Sequence, residues 1–448
     1  MKATLHFTNP QAQMSSMEIF KSPMMSGSDI LKISESPANN SFLGFGVAIT
    51  GSSCYVLSKM DASKRRSLLE HIYGKDGLNL SVARLSIGAS DYSAELYSYD
   101  DVPFDTALEH FSIDKDRAYI LPIIKEILEI RPDLYLFASP WSPPAWMKTG
   151  NCLCMGYMRE EFVDCYADYF IKYLQDYEAE GIHVSAITPQ NETETQQSGE
   201  MPACIWHPEI EAKFIKCLKS KLKALGMDTK IWMFDHNFKG AMRVKWTLDI
   251  CEGLAQSTDG IAFHYYEGTI EQTLLLKEAY PKLRMHFTEG GPRLYDNYST
   301  DWCKWGIMIS KALCADYGSF TGWNLALDEF GHPNLGIFGC GGLVTVNSTT
   351  HEVCDYSGQY KAMKHIAPYI TPESKIYSIG SDAWVAQAMF EYPKDNKPLC
   401  GFLIDNGNKK IAVIINQNTF KRPAQLMING ELYYIPLLAD SINTIIFE

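Results

Sequence analysis

Two short segments of the sequence each place a glutamate directly after an apolar run. The first is Ile-Thr-Pro-Gln-Asn-Glu, which ends at Glu192, and the second is Phe-Thr-Glu-Gly, which contains Glu289. The apolar part of each run is typical of a short buried strand. Two carboxylates at the ends of two strands are what acid/base cleavage of a glycosidic bond needs. A lone Glu is usually a solvated loop residue, so this hypothesis depends on a fold that brings the two together.

Between residues 42 and 367 the sequence alternates short apolar strands with longer amphipathic helices. Strands are predicted over residues 43–50, 80–87, 134–138, 183–188, 230–234, 260–264, 284–288 and 320–325. Helices are predicted over residues 59–73, 116–130, 160–180, 208–225, 242–251, 270–280, 302–317 and 358–366. Such a series predicts a (β/α)₈ barrel, whose active site lies at the C-terminal ends of the strands. Glu192 would follow the fourth strand and Glu289 the seventh, so both carboxyls can point into one pocket.

Both ends of the chain have a different character from this central part. Residues 1–41 alternate short apolar pieces with Ser, Asn and Pro, as edge strands do. Strands are also predicted over residues 381–390, 399–403, 411–416 and 444–447, separated by Asp-Asn-Gly and Asn-Gly-Glu turns. The predicted fold class is therefore α/β: a TIM barrel over residues 42–367, with a small all-β sandwich domain formed by residues 1–41 and 368–448.

Other predicted strand ends carry side chains suited to a sugar. Asp91 follows the second strand, where it can accept hydrogen bonds from neighbouring hydroxyls. Asn191 can bind a hydroxyl next to the reacting carbon. Trp141 and Trp323 follow the third and eighth strands and offer platforms for the apolar face of a pyranose, although ordinary core filling is the alternative for each.

Two histidines near a carboxylate raise the question of a metal site. His236 is next to Asp235 after the fifth strand, and His264 ends the sixth. The sequence has no His-x-His or His-Glu-x-x-His spacing here, so hydrogen-bonding roles are favoured and no metal or cofactor is predicted.

Net charge and composition limit which kinds of ligand the protein is expected to bind. The chain has 448 residues and a formal net charge of −13, which argues against a nucleic-acid groove or an anionic membrane surface and suits a neutral sugar. The 12 cysteines are spread among apolar segments and are predicted to be free thiols. No signal segment or membrane-spanning stretch is recognised, so a cytoplasmic location is expected. The oligomeric state is left open.

Seven segments resemble, in order, the motifs of glycoside hydrolase family 30, the glucosylceramidase-like family, and most of all its bacterial members. They are GFGVAIT, LSVARLSIGASDYS, YSYDD, LFASPWSPPAWMKTG, ITPQNE, HFTEG and GWNLALDEFGHPN. The resemblance implies a barrel joined to a β-sandwich, and a retaining β-glycosidase with Glu192 as acid/base and Glu289 as nucleophile. It also implies a set of substrate contacts: Asp91, Trp141, Asn191, His264, Tyr266, Trp323 and Asn334.

The sequence departs from the family pattern at two places. Gly51-Ser52-Ser53 stands where members usually have an acidic residue and alanines, and Thr193-Glu194 follows the acid/base, where many have proline. Neither removes a catalytic carboxylate, but Thr193 and Glu194 border the expected pocket.

The expected mechanism is double displacement, with a raised pKa on Glu192. The leading substrate hypothesis is exo-acting cleavage of short β-glucosides. An endo-β-1,6-glucanase, or a β-xylosidase or β-fucosidase, is the alternative within the family. A non-catalytic carbohydrate-binding barrel is the alternative outside enzymes, and the intact glutamate pair argues against it.

Overall fold

The protein is described by a computed structural model over residues 3–25, 28–195, 200–381 and 396–447. Its contacts divide the chain into two compact units. The terminal unit comprises Met1–Gly44, Asp296–Tyr317 and Tyr356–Glu448, and the barrel unit comprises Phe45–Tyr295 and Gly318–Asp355. Among the described residues, no helix has both the length and the apolar composition needed to cross a membrane.

The strands, numbered in chain order, are β1 (Ala3–Asn9), β2 (Ala12–Ile19), β3 (Asp29–Ile33), β4 (Gly44–Ala48), β5 (Val82–Ile87), β6 (Tyr135–Pro140), β7 (Ala186–Ile187), β8 (Lys230–Asn237), β9 (Gly260–His264), β10 (Arg284–Glu289), β11 (Ser319–Gly322), β12 (Ala326–Asp328), β13 (Val344–Val346), β14 (Val353–Tyr356), β15 (Lys375–Ser381), β16 (Cys400–Asp405), β17 (Lys410–Asn416), β18 (Ala424–Ile428), β19 (Glu431–Ile435) and β20 (Ser441–Phe447). The α-helices are α1 (Gly51–Lys59), α2 (Ala62–Tyr73), α3 (Ile120–Ile130), α4 (Val163–Ala179), α5 (Pro208–Ala224), α6 (Ala241–Ile250), α7 (Leu254–Ser257), α8 (Leu274–Ala279), α9 (Trp302–Cys314) and α10 (Gly358–Ile366).

Strands β4 to β11 form a closed barrel, in the order β10-β11-β4-β5-β6-β7-β8-β9. The paired neighbours within it are parallel, as between β5 and β6 or β8 and β9. Their side chains are almost all buried because a barrel strand faces the interior on one side and helices on the other. The predicted fold class is confirmed, since each of the eight predicted barrel strands overlaps one of these.

The first predicted helix, over residues 59–73, corresponds to α2, and the sequence did not reveal α1, which precedes it. α1 begins at Gly51, after the cap residue Thr50, whose side chain accepts from the Ser53 N–H. Asp61 then caps α2 by accepting from the backbone N–H groups of Ser63 and Lys64. A side chain that satisfies these free N–H groups starts a new helix, so the chain bends at this point.

The terminal unit holds a nine-stranded sheet in the order β19-β18-β3-β15-β16-β17-β20-β1-β2. The two ends of the chain pair directly, with Ala3 opposite Phe447 in antiparallel β1 and β20. The all-β part built by both termini is therefore confirmed. The sequence did not reveal β15, β18 and β19, although the Asn-Gly turn between β18 and β19 has the positive φ values, 52° and 80°, that a tight hairpin requires.

Two predictions about the terminal unit have other outcomes. The strand predicted over residues 381–390 lies outside the described residues except for Ser381, which ends β15. The predicted boundaries at residues 41 and 367 remain predictions.

Candidate active site

Backbone irregularities at the strand ends direct the polar side chains into the barrel mouth. Glu192 follows β7 with a left-handed φ of 53°, and Asp235 in β8 has a φ of 54°. The Glu192 N–H donates to the Asp235 carbonyl at 2.9 Å. The strand register shifts between Phe234 and His236, and again between Phe287 and Glu289. Such bulges are a common way to re-aim a side chain beside a functional site.

A cavity of about 430 Å³ opens at this end of the barrel, which is within the size range of small-molecule sites. Its lining residues include Asp91, Trp141, Asn191, Glu192, Met201, His236, Tyr266, Glu289, Arg293, Trp323, Phe338 and Cys340. Seven of the sequence-predicted site residues are thus brought together.

The two glutamates lie close to each other in this cavity. Glu192 is 9% exposed and Glu289 is 5% exposed. One carboxylate oxygen of each lies within 4.8 Å of the other and of a ring nitrogen of His264. Two carboxyl groups this close repel each other when both are ionised, and neighbouring positive groups reduce that repulsion.

Glu289 is held by two donors from different strands. Arg84, in the middle of β5, donates to Oε2 through its NH1 group. The Tyr266 hydroxyl donates to Oε1 at 2.9 Å. Together the two contacts fix the orientation of the Glu289 carboxyl group.

Arg84 also connects the glutamate to the rest of the site. It is fully buried, and its NH2 group donates to Asn191 Oδ1 at 2.9 Å and to Asp235 Oδ2 at 2.7 Å. Because the Asn191 oxygen is used in this way, its amide NH₂ is the group it can offer to a ligand. The guanidinium lies 4.8 Å from the ring centroid of Trp141 and 5.4 Å from that of Trp323.

Arg84 is a polar residue of the site that the sequence reasoning did not assign. Arg84 interrupts an apolar strand, and a charge in a buried strand is costly unless it is paired. That interruption was the available signal.

Asp235 lies below the cavity and organises several strand ends. Oδ2 accepts from Ser139 and Thr188, and Oδ1 accepts from Thr288. Burial by itself raises the pKa of the Asp235 carboxyl, but the charges of Arg84 and His264 and the hydrogen bonds outweigh it, so the pKa lies well below its usual range.

His264 bridges two carboxylates. Its ring nitrogens lie 3.0 Å from Asp235 Oδ1 and 3.3 Å from Glu192 Oε1. Burial lowers the pKa of His264, yet the charge of Glu289 and the contacts with Asp235 and Glu192 raise it to about 9. A protonated imidazole has no free lone pair, so this arrangement favours hydrogen bonding over metal ligation, although Glu192, His264 and Glu289 converge closely enough for an ion.

The expectation of a raised pKa on Glu192 is wrong for this structure. Burial raises the pKa of Glu192, but the hydrogen bond from His264 and the nearby charges of His236 and His264 outweigh burial and lower it. The expectation rests on the acid role in the mechanism, and the sequence does not reveal the contact with His264.

Asp91 shows the opposite behaviour. It is 8% exposed, and its Oδ1 has no hydrogen-bond partner among the described residues. Burial, followed by the charges of Glu289 and Glu192, raises its pKa well above the usual range. An unsatisfied buried acceptor that lines a cavity is suited to accept hydrogen bonds from sugar hydroxyls.

Asn334 is not among the residues that line the cavity. Its Nδ2 donates to the Phe338 carbonyl at 2.8 Å and its Oδ1 accepts from the Gly336 N–H at 2.7 Å. The proposed contact of Asn334 with substrate stays a prediction, as do the roles of the other site residues.

A closed barrel with two buried glutamates at its C-terminal mouth defines a class of protein, the TIM-barrel glycoside hydrolases. Residues 42–338 match the glycosyl hydrolase family 30 TIM-barrel domain. This match spans more than half of the chain, and the protein belongs to that family.

Three known proteins show how similar its relatives are. The endo-1,6-beta-D-glucanase of Neurospora crassa is 28% identical over 371 residues, which cover 79% of this chain and 75% of that protein. The lysosomal acid glucosylceramidase of Mus musculus is 28% identical over 319 residues, covering 65% of this chain and 61% of that protein. The solved structure of the endo-beta1,6-glucanase BT3312 has a TM-score of 0.83 and 26% identity, covering 99% of this chain and 98% of that one.

Proposed function

We propose that the protein hydrolyses β-glucosidic bonds by double displacement, with retention of the anomeric configuration. The observation that carries this proposal is the separation of Glu192 and Glu289, whose carboxylate oxygens lie within 4.8 Å of each other. Retaining enzymes have carboxyl groups about 5–5.5 Å apart, whereas inverting enzymes need roughly 6.5–9.5 Å to admit a water molecule.

In the first step Glu289 is the nucleophile. Arg84 and Tyr266 hold its carboxyl group in place at the cavity. It attacks the anomeric carbon while Glu192 protonates the departing glycosidic oxygen. A bound sugar removes water from Glu192, and this desolvation raises its pKa toward the protonated form that the step requires.

In the second step Glu192 acts as the base. Glycosylation of Glu289 removes one negative charge from the cavity, so the pKa of Glu192 falls. Glu192 then accepts a proton from water, which attacks the glycosyl-enzyme from the face that the leaving group vacated. The second inversion restores the starting configuration.

A β-1,6-linked glucan cleaved internally is the first substrate candidate. It is supported by the names of the Neurospora crassa protein and of BT3312, the second of which matches nearly the whole chain. Exo-acting cleavage of short β-glucosides is the second candidate, and the similarity to a glucosylceramidase favours a glucosylated aglycone.

The test combines stereochemistry, product size and one variant. We expect the first product seen by ¹H NMR to be the β-anomer, and a β-1,6-glucan to yield oligosaccharides before glucose. Glu289→Gln should lower kcat by about 10⁴-fold or more without changing the unfolding temperature. An α-anomer as first product would refute the mechanism, and glucose as sole early product would favour the exo alternative. A carbohydrate-binding barrel would hydrolyse neither the glucan nor an aryl β-glucoside.

A further inference from the structure

We propose that a second groove beside the catalytic cavity binds the glucosyl units of the leaving group that lie beyond the bond being cleaved. This inference rests on the proposed function, because it assigns the far part of an extended substrate. The groove has a volume of about 600 Å³ and lies within the barrel unit.

The groove begins at the acid/base. Glu192 protonates the leaving group, so the leaving group must depart on the Glu192 side of the cavity. The next two residues, Thr193 and Glu194, line the second groove, and Glu194 lines the catalytic cavity as well. A substrate that extends past the glycosidic oxygen is therefore led into this groove.

Two exposed aromatic rings give the groove a surface suited to sugars. Tyr157 is 50% exposed and Trp246 is 47% exposed, and both line it. Both rings line one groove, and a pyranose presents an apolar C–H face that can stack against such a ring. Rings on two separate segments can hold two successive units of a chain.

Charged groups at one edge of the groove are held in place by buried contacts. Arg243 lies 2.9 Å from Oε2 of the fully buried Glu211 and donates to the Trp206 carbonyl at 3.0 Å. Glu194 lies 3.6 Å from Arg243 and is 42% exposed. Fixed polar groups beside exposed rings match the hydroxyl rim and apolar face of a sugar better than an alkyl chain, which offers no hydrogen bonds.

One departure from the family pattern lies at the start of this groove. Thr193 stands directly after the acid/base, where many members have proline, and Glu194 puts a carboxylate at the junction of the two cavities. Here the Thr193 carbonyl accepts from the Trp206 N–H at 2.9 Å, which fixes the turn that presents Glu194. The residues that set this protein apart thus stand where the leaving group passes.

The experiment measures how kcat/KM depends on substrate length. Substrates are 4-nitrophenyl β-glucoside and β-1,6-linked gluco-oligosaccharides of increasing length. Trp246→Ala should lower the ratio of kcat/KM for the longest oligosaccharide to that for the aryl glucoside by about tenfold, the effect of one good stacking contact. Tyr157→Ala should lower the same ratio by a similar or smaller factor. The matched control is Phe20→Ala, an exposed aromatic of the terminal unit, which is 71% exposed.

A binding measurement separates this proposal from the proposed function. In a Glu289→Gln background, calorimetry should show oligosaccharide affinity about tenfold weaker when Trp246→Ala is added, whether or not the wild-type chain hydrolyses that glycoside. Unchanged kcat/KM ratios and unchanged oligosaccharide affinities in both variants would overturn the proposal that this groove binds the leaving group. A loss confined to octyl β-glucoside, with oligosaccharides unaffected, would also overturn it and assign the groove to an alkyl aglycone. Failure of the wild type on every β-glucoside would instead refute the proposed function.

Discussion

Two fully buried arginines, one in each unit, both donate to a carboxylate and to an Asn side chain, and yet they serve different ends. Arg84 donates to Ser139, Asn191, Asp235 and Glu289 in the barrel unit. In the terminal unit Arg422 donates to both oxygens of Asp29, to Asn396 and to the Lys397 carbonyl.

The difference lies in what the acceptors face. Arg422 occupies both oxygens of Asp29, which is itself 2% exposed, so the pair is closed within the fold. Two acceptors of Arg84, Asn191 and Glu289, line the 430 Å³ cavity and keep groups that a ligand can contact. A buried ion pair therefore does not by itself indicate a functional site. A functional site is indicated by a paired carboxylate that still faces a cavity.

The same substitution at both arginines tests this comparison. Arg84→Lys should lower kcat by roughly 10³-fold, because one ammonium cannot replace a planar fork that bridges several acceptors. Arg422→Lys is the matched control, and its kcat should equal that of the wild type at a temperature where it is folded. Steady-state kinetics with an aryl β-glucoside, alongside thermal unfolding, gives both values. Equal activity losses in the two variants would remove the distinction.

A double-mutant cycle sharpens the structural side of the comparison. Arg422→Met should lower the free energy of unfolding by about 3–5 kcal/mol, because it leaves Asp29 charged and unpaired in the interior. Adding Asp29→Leu should recover most of this loss, since an apolar pair of similar volume needs no desolvation of charge. Denaturant titration of the single and double variants measures both changes in unfolding free energy. If the double variant is as unstable as the single one, the pair is not a closed unit.

Two buried histidines extend the comparison to pH. His264 in the barrel unit has its pKa raised to about 9, because the negative groups around it outweigh burial. The ring nitrogens of His365 in the terminal unit lie 2.9 Å from the Thr444 hydroxyl oxygen and 2.8 Å from that of Thr8, and burial lowers the pKa of His365 to about 3. The two groups must therefore change stability in opposite directions with pH.

The signs follow from proton linkage. His264 binds its proton more tightly when folded, so its stabilisation is complete below pH 6.5 and is lost as pH rises through 9. The folded state favours the neutral imidazole of His365. Its contribution to stability is therefore complete above pH 6.5 and is lost as pH falls through 3. His264→Gln should remove roughly 3 kcal/mol of the alkaline decline in unfolding free energy. His365→Gln should leave the alkaline decline unchanged and flatten the acid one. If His264→Gln changed the acid decline and His365→Gln the alkaline one, the result would contradict the contacts described for these two histidines.

Sequence reasoning predicted the barrel well because each strand is buried on both faces and reads as a compact apolar run. The terminal sheet was harder. β18 is a short strand interrupted by the buried polar Gln425, β19 has three half-buried residues out of five, and β15 mixes Lys, Ser and Gly with its apolar residues. Helix α1 was not predicted, because it begins with the small and polar run Gly51-Ser52-Ser53, which gives no apolar periodicity.

In the site, residues that directly follow a strand could be predicted, because the barrel fold itself puts strand ends together. Arg84 could not be assigned, since its partners come from four other parts of the chain and share no local pattern. The predicted direction of the Glu192 pKa shift was wrong for the same reason, because the deciding contact is with His264 on another strand.

Substitution of Asp91 has the smallest expected effect. It tests most directly the difference between a carboxylate that faces the cavity and one, like Asp29, whose two oxygens are both bound by an arginine. Its raised folded-state pKa means that the folded protein holds this proton more tightly than the unfolded chain, so stability falls as pH rises above about 4. Asp91→Asn removes that dependence and should raise the unfolding free energy by about 1 kcal/mol at pH 7, while kcat/KM for an aryl β-glucoside falls. The matched change Asp29→Asn should do the opposite, lowering stability and leaving kcat/KM unaltered, because Asp29 gives both oxygens to Arg422. If Asp91→Asn destabilised the protein, its carboxylate would be a structural acceptor like that of Asp29 and not a group kept available for substrate.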